Sequence, residues 1–172
     1  LVDQAALAEE VGFDVVLGSD HFHPWVDDLS AAGFVWSWLG AVAERTQRVE
    51  LATSVTCPLF HYHPALVAQM AATVDRLSGG RFILGVGTGE NINSGPMGFE
   101  FPGYSERIGR MEEALEIMLR KVAFPGRTDV VIRSIGEMID RSQKRASPGI
   151  TAIGFDLKVG HVCAVNIASP LV

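Results

Sequence analysis

Gly18-Ser19-Asp20-His21-Phe22-His23-Pro24-Trp25 is the stretch on which the reading of the fold turns. It sets a carboxylate, two imidazoles and an indole directly after Phe13 to Leu17, a short apolar run rich in β-branched residues. That run has the pattern of a strand covered on both faces, as strands of parallel sheets are. In parallel sheets and barrels ligands sit at the carboxyl ends of the strands. The polar groups of residues 18–25 are therefore the first candidates for chemistry.

Working outward, residues 1–11 place Leu1, Ala5 and Ala8 on one helical stripe ending at Gly12, a good residue for a left-handed helix stop. Phe34 to Arg45 reads as a buried helix around Trp38, Leu39, Val42 and Ala43. Val49 to Val55 is the next strand, followed by a loop through Cys57, His61 and His63. Pro64 opens a helix, where its missing N–H costs nothing, with Leu66, Val67, Met70, Ala71, Val74 and Leu77 at helical spacing until Ser78-Gly79-Gly80. Arg81 to Gly87 is a third strand and Thr88 to Asn93 its loop. An amphipathic helix runs from about Ser105 to Lys121, with Ile108, Met111, Leu115 and Met118 on one face.

Strands beginning near residues 13, 49 and 81 keep the rhythm of successive βα units, which implies a parallel sheet. After Val122 that rhythm changes. Val130 to Ser142 is expected as one more helix, and Ile150 to Leu157 and His161 to Ala168 as two strands.

The chain has 172 residues, 48% of them hydrophobic, enough for one sizeable core and too few for two ordinary domains. Its formal net charge is −6 with acids and bases interspersed, which argues against nucleic acid or an anionic membrane as the main partner. A small molecule suits it better. The two cysteines, Cys57 and Cys163, form no CxxC pair, so neither a disulfide framework nor a thiolate metal cage is expected, and a reducing cytoplasm is the natural setting. No apolar run approaches the roughly 20 residues that span a bilayer.

Three segments together resemble the luciferase-like (bacterial luciferase-type) superfamily, and within it the coenzyme F420-dependent dehydrogenases of the glucose-6-phosphate and secondary-alcohol type. They are Ser19-Asp20-His21-Phe22 with Pro24-Trp25; Ala52-Thr53-Ser54-Val55 with Pro58 and Tyr62-His63-Pro64; and Leu84-Gly85-Val86-Gly87-Thr88-Gly89-Glu90. Each alone is weak, but in this order, at successive strand ends, they are specific. The resemblance covers about residues 1–122 and leaves 123–172 as a divergent tail. It implies a partial (β/α)8 TIM barrel, with a deazaflavin across the strand ends and a homodimeric parent enzyme. A whole barrel takes about 250 residues, so the chain is expected to be a segment, lacking the first strand and the later half.

Carried over residue by residue, the resemblance implies His21 as general base on the substrate hydroxyl and Glu90 as the acid that protonates the reduced ring. Trp25 would shape the pocket beside the reacting carbon. Asp20 would help fix the cofactor or His21, Ser54 and Val55 would form a non-proline cis peptide behind the ring, and Gly87, Thr88 and Asn93 would line the cofactor. Elementary chemistry agrees in part. Histidine accepts protons near neutrality, glycines at 85, 87 and 89 let a flat ring approach the backbone, and a proton-donating Glu90 needs a dry, apolar setting. The cofactor is thus expected to be F420, with FMN as the alternative used by monooxygenases of the superfamily. Two readings stand apart from these: a metal-dependent hydrolase using the His21/His23 and His61/His63 pairs, and a non-catalytic half-barrel that pairs through open strand edges.

Overall fold

The computed structural model describes residues 1–25, 31–121, 130–132 and 162–165, with the backbone path alone for 119–121 and the last two stretches. Helix α1 (Val2–Glu10) buries Ala5, Ala6 and Ala8. Leu1, expected on the same stripe, is exposed. Gly12 lies in the left-handed region at φ +96° and turns the chain into β1 (Val15–Gly18). Helix α2 (Val35–Arg45) follows, then β2 (Glu50–Thr53), α3 (Pro64–Leu77) and β3 (Phe82–Val86). A short α4 (Asn91–Ser94) and a 3-10 turn (Gly95–Met97) precede α5 (Tyr104–Lys121), which leads to β4 (Val130–Ile132) and β5 (Val162–Val165).

All the strand pairs are parallel, in the order β4-β3-β2-β1-β5. The register sets Gly18 beside Thr53 and Ala52 beside Ile83, so β1, β2 and β3 end on one rim. Helices pack in succession over the sheet, α1 on α2, α2 on α3 and α3 on α5. Between sheet and helices lie Val16, Leu51, Phe82, Leu84 and Val86 from the strands, with Leu39, Val42, Val67, Ala71 and Met111 from the helices. Burying a Leu or Val side chain contributes roughly 1.5–3 kcal/mol, so this contact holds the strand ends in place. Neither α1 nor α2 has a side-chain cap at its start. Helix α3 has one: His63 Nδ1 accepts from the Ala65 N–H at 3.2 Å, with Pro64 in the first turn.

Two glycines are dictated by close approach. Thr53 Oγ1 accepts from Gly85 N–H at 3.0 Å and donates to Gly85 O at 2.8 Å, and a Cβ on Gly85 would run into the Thr53 carbonyl oxygen. At Gly89, φ is +83° and a Cβ would crowd Cys57 Sγ and the Phe60 ring.

Expectation and structure part company after α5. The segment Val130 to Ser142, expected as a helix, carries strand β4 at Val130–Ile132; its remaining residues lie outside the described ones. Three β-branched residues in a row fit a buried strand, and the free edge of β3 supplies the partner that local sequence cannot reveal. The strand expected within His161 to Ala168 is present as β5 and covers the edge of β1. Ile150 to Leu157 lies outside the described residues. Among the described residues no helix is long and apolar enough to cross a membrane.

At the amino-end rim Glu9 ties α1 to the turn before β2. Its carboxylate accepts from the backbone N–H groups of Gln47, Arg48 and Val49, at 2.6 to 3.1 Å. Partial burial works to raise its pKa, but the three amide donors and the nearby Arg81 charge outweigh this and hold it below the ordinary value. A depressed carboxyl pKa gives stability that is present above the unfolded value and is lost as pH falls through the folded one. The stability difference between wild type and Glu9→Gln should therefore be largest near neutrality and shrink as pH drops to about 3, as read by urea unfolding across that range. A constant difference would mean that the charge of Glu9 adds nothing.

Candidate functional site

The carboxyl ends of β1, β2 and β3 open onto one cleft. Asp20 and His21 enter from the loop after β1, Ser54, Val55 and Cys57 from the loop after β2, and Gly87 to Glu90 from the loop after β3, while Asn93 belongs to α4. The peptide bond between Ser54 and Val55 is cis. Eight of the nine residues singled out from sequence line this cleft. Trp25, the ninth, stands beside its wall: its ring is 5.2 Å from that of His21, centre to centre, and it is 56% exposed.

His21 is the hub. Its Nε2 lies 4.0 Å from Glu90 Oε2 and 3.1 Å from Trp25 Nε1, and its Nδ1 lies 3.1 Å from Asn93 Nδ2. Asn93 Oδ1 accepts from the Phe22 and His23 N–H groups at 3.0 and 3.2 Å, joining α4 to the loop after β1. Glu90 is the N-cap residue of α4, so one short helix carries both Asn93 and Glu90. The Glu90 side chain is 27% exposed.

Asp20 lies behind this surface, buried at 7% exposure. Its Oδ2 accepts from Trp36 Nε1 at 3.1 Å and Thr56 Oγ1 at 2.8 Å, and its Oδ1 from Tyr62 OH at 3.1 Å. Burial raises its pKa, against the lowering effect of these donors and of His61. Desolvation and the Asp20 charge in turn raise the pKa of the Tyr62 phenol, and desolvation lowers that of His61. Asp20 thus braces the loop after β1 against α2 and the loop after β2.

Sequence reasoning passed over Tyr104 and Arg107, which line the cleft from the first turn of α5. The Arg107 guanidinium lies 4.2 Å over the Phe101 ring and donates to Pro102 O at 2.6 Å. The periodicity that reveals an amphipathic helix assigns its polar residues to solvent and cannot say which of them sits beside a cleft. Cys57 lines the cleft with its thiol pushed up to about 12, chiefly by burial, which disfavours the reactive thiolate. Of the imidazoles considered for a metal, His63 caps α3 and His23 Nδ1 lies 2.9 Å from Pro24 O. Among the described residues no three His, Cys, Asp or Glu are grouped to hold a metal ion.

A strand-end cleft with a cis peptide on one wall and an imidazole facing a carboxylate invites comparison with known proteins. The model of the luciferase-like monooxygenase family matches residues 1–145. The chain belongs to this family. Among luciferase-like relatives, the F420-dependent glucose-6-phosphate dehydrogenase of Intrasporangium calvum is 47% identical over 134 residues, covering 73% of this chain and 40% of that one. Its counterpart in Microbacterium testaceum is 48% identical over 118 residues, covering 69% and 35%. The chain thus spans about 40% or less of the length of these relatives. Among solved structures, an F420-dependent secondary alcohol dehydrogenase in complex with an F420-acetone adduct superimposes with a TM-score of 0.71 at 32% identity, over 76% of this chain and 46% of that one. The coenzyme F420 dependent tetrahydromethanopterin reductase of Methanopyrus kandleri gives 0.57 at 26% identity, over 68% and 35%. The luciferase-like neighbours agree with a partial (β/α) barrel, and the parallel sheet of this chain is consistent with that.

Proposed function

We propose that the chain is the cofactor-facing part of an oxidoreductase that moves a hydride from the carbon of an alcohol or sugar hydroxyl to coenzyme F420. The observation that supports this best is convergence: three successive strand ends bring His21, the Ser54–Val55 peptide and Glu90 to one cleft. The nearness to F420-dependent dehydrogenases adds to it. When bound, the deazaflavin supplies a ring carbon that accepts a hydride.

The residues present suit such a ring. Backbone and small side chains at Ser54, Gly87 and Thr88 let a flat heterocycle lie close, Val55 gives it an apolar contact, and Arg107 offers a cation to an anionic group. The His21–Glu90 pair handles the proton that the hydroxyl must lose, and Trp25 walls the reacting carbon. These contacts all fall within residues 1–122.

Equilibrium titration of the purified protein with F420 and with FMN tests the reading. F420 is expected to bind at least about tenfold tighter, a difference of about 1.4 kcal/mol. Tighter retention of FMN, with oxygen consumed when the flavin is reduced, would falsify it in favour of a monooxygenase.

A further inference from the structure

We infer that Thr53 is a positioning residue: its hydroxyl closes the gap that a one-residue bulge opens between β2 and β3, and so sets where the Ser54–Val55 backbone stands in the cleft. The bulge and its closure rest on geometry alone; the consequence for F420 rests on the hydride-transfer reading above.

The strand register exposes the extra residue. Ala52 pairs with Ile83, and the next parallel pairing joins Thr56 to Val86. Residues 53–55 therefore face only residues 84 and 85, and the surplus residue on the β2 side is a bulge. Toward β1 nothing is displaced. That register runs on to Gly18 beside Thr53, and the Ser54 N–H donates to Gly18 O at 2.8 Å. The gap opens toward β3 alone.

In an unbroken parallel ladder the Gly85 N–H would donate to the Thr53 carbonyl oxygen, and the Gly85 carbonyl would accept from residue 55. Here the Gly85 N–H donates to Thr53 Oγ1 at 3.0 Å, and Oγ1 donates in turn to Gly85 O at 2.8 Å. The same carbonyl accepts from the Thr56 N–H at 2.8 Å, and the ladder resumes as the Gly87 N–H donates to Thr56 O at 2.9 Å. One hydroxyl thus stands in for the rung that the bulge removes.

The residue types follow from this duty. Thr53 and Gly85 are both buried, so a Gly85 N–H without an acceptor would have no water to turn to. A β-branched side chain has few rotamers, which keeps the hydroxyl turned to its partner. Gly85 has no Cβ to hold the Thr53 carbonyl away. Valine has nearly the shape of threonine and no hydroxyl. In Thr53→Val the Gly85 N–H can be served only by the carbonyl of residue 53, and turning that carbonyl moves the following peptide, Ser54–Val55, which lines the cleft.

F420 titration and amide spectra of the same purified proteins test this. Thr53→Val is expected to weaken F420 binding by at least about tenfold, and to shift the Ser54 and Val55 amide signals in the protein without cofactor. Thr53→Ser, which keeps the hydroxyl, should bind within about threefold of wild type and leave those signals in place. Valine and serine variants that bind F420 alike, or a folded Thr53→Val with Ser54 and Val55 signals unmoved, overturn the inference. If the valine variant does not fold, wild type decides: the Thr53 hydroxyl hydrogen is expected in slow exchange with a cross-peak to the Gly85 amide hydrogen, and free exchange with water overturns the closure. Failure of wild type to bind F420 would instead remove the hydride-transfer reading and leave the role of Thr53 to the amide signals.

Discussion

Asp20→Ala is expected to cost about 3 kcal/mol of folding stability, and Asp20→Asn about 1 kcal/mol. The alanine variant leaves the Trp36 N–H, the Thr56 hydroxyl and the Tyr62 hydroxyl without the acceptor they share, and each unpaired buried donor costs about 1–3 kcal/mol. Relief from burying the carboxylate offsets part of that sum. Asparagine keeps the shape. Its oxygen can occupy the Oδ2 position and serve Trp36 and Thr56, while its NH2 donates to the Tyr62 oxygen, a role that a phenol can accept. The pH response separates charge from shape. Burial raises the Asp20 pKa, so its contribution is full below the unfolded value and falls as pH rises through the folded one. Asparagine lacks this dependence, and the stability gap between the two proteins should narrow or reverse as pH rises from about 3 to 7. Urea unfolding of the three proteins measures all of this. Equal losses for alanine and asparagine would show that the three donors do not depend on a shared acceptor.

Much of this arrangement could be read from sequence because it is local. The apolar run before Gly18, the Pro64 start and the Gly79-Gly80 stop are each decided within a few residues, and the structure places α3 at Pro64–Leu77. The βα rhythm implies parallel strands, and the resemblance of the three motifs implies that His21, Ser54 and Glu90 meet at their ends. What stayed hidden depends on contacts distant in sequence. Helix α4 is one turn long, too short to show a period, yet it sets Asn93 and Glu90 on the two edges of His21. The hub role of Asp20 needs Trp36, Thr56 and Tyr62, which lie 16, 36 and 42 residues away. Strand β4 needs the edge of β3. Arg107 sits on a helix face that sequence assigns to water, and only the fold shows a cleft beside it.

The second large effect concerns turnover in a chain that spans the whole barrel. Glu90→Gln should lower F420-dependent oxidation of an alcohol or sugar by about 100-fold or more, the usual scale for losing an acid–base group, because an amide neither gives nor takes a proton. His21→Ala should lower it by about 100-fold through the loss of the other half of the proton-handling pair. His21→Gln is the discriminating variant: its terminal amide keeps a polar group in that place, with no means of accepting a proton there. If His21 handles a proton, glutamine is as inactive as alanine, whereas a side chain that only holds the substrate in place keeps turnover within about tenfold of wild type. F420 affinity, measured alongside by fluorescence titration, should stay within about threefold in all three variants, since the walls at Ser54, Gly87 and Thr88 are untouched. A fall in affinity that matches the fall in turnover would move His21 and Glu90 from proton handling to cofactor holding. Activity kept by Glu90→Gln and lost by His21→Gln would leave the imidazole as the proton-handling group of the pair.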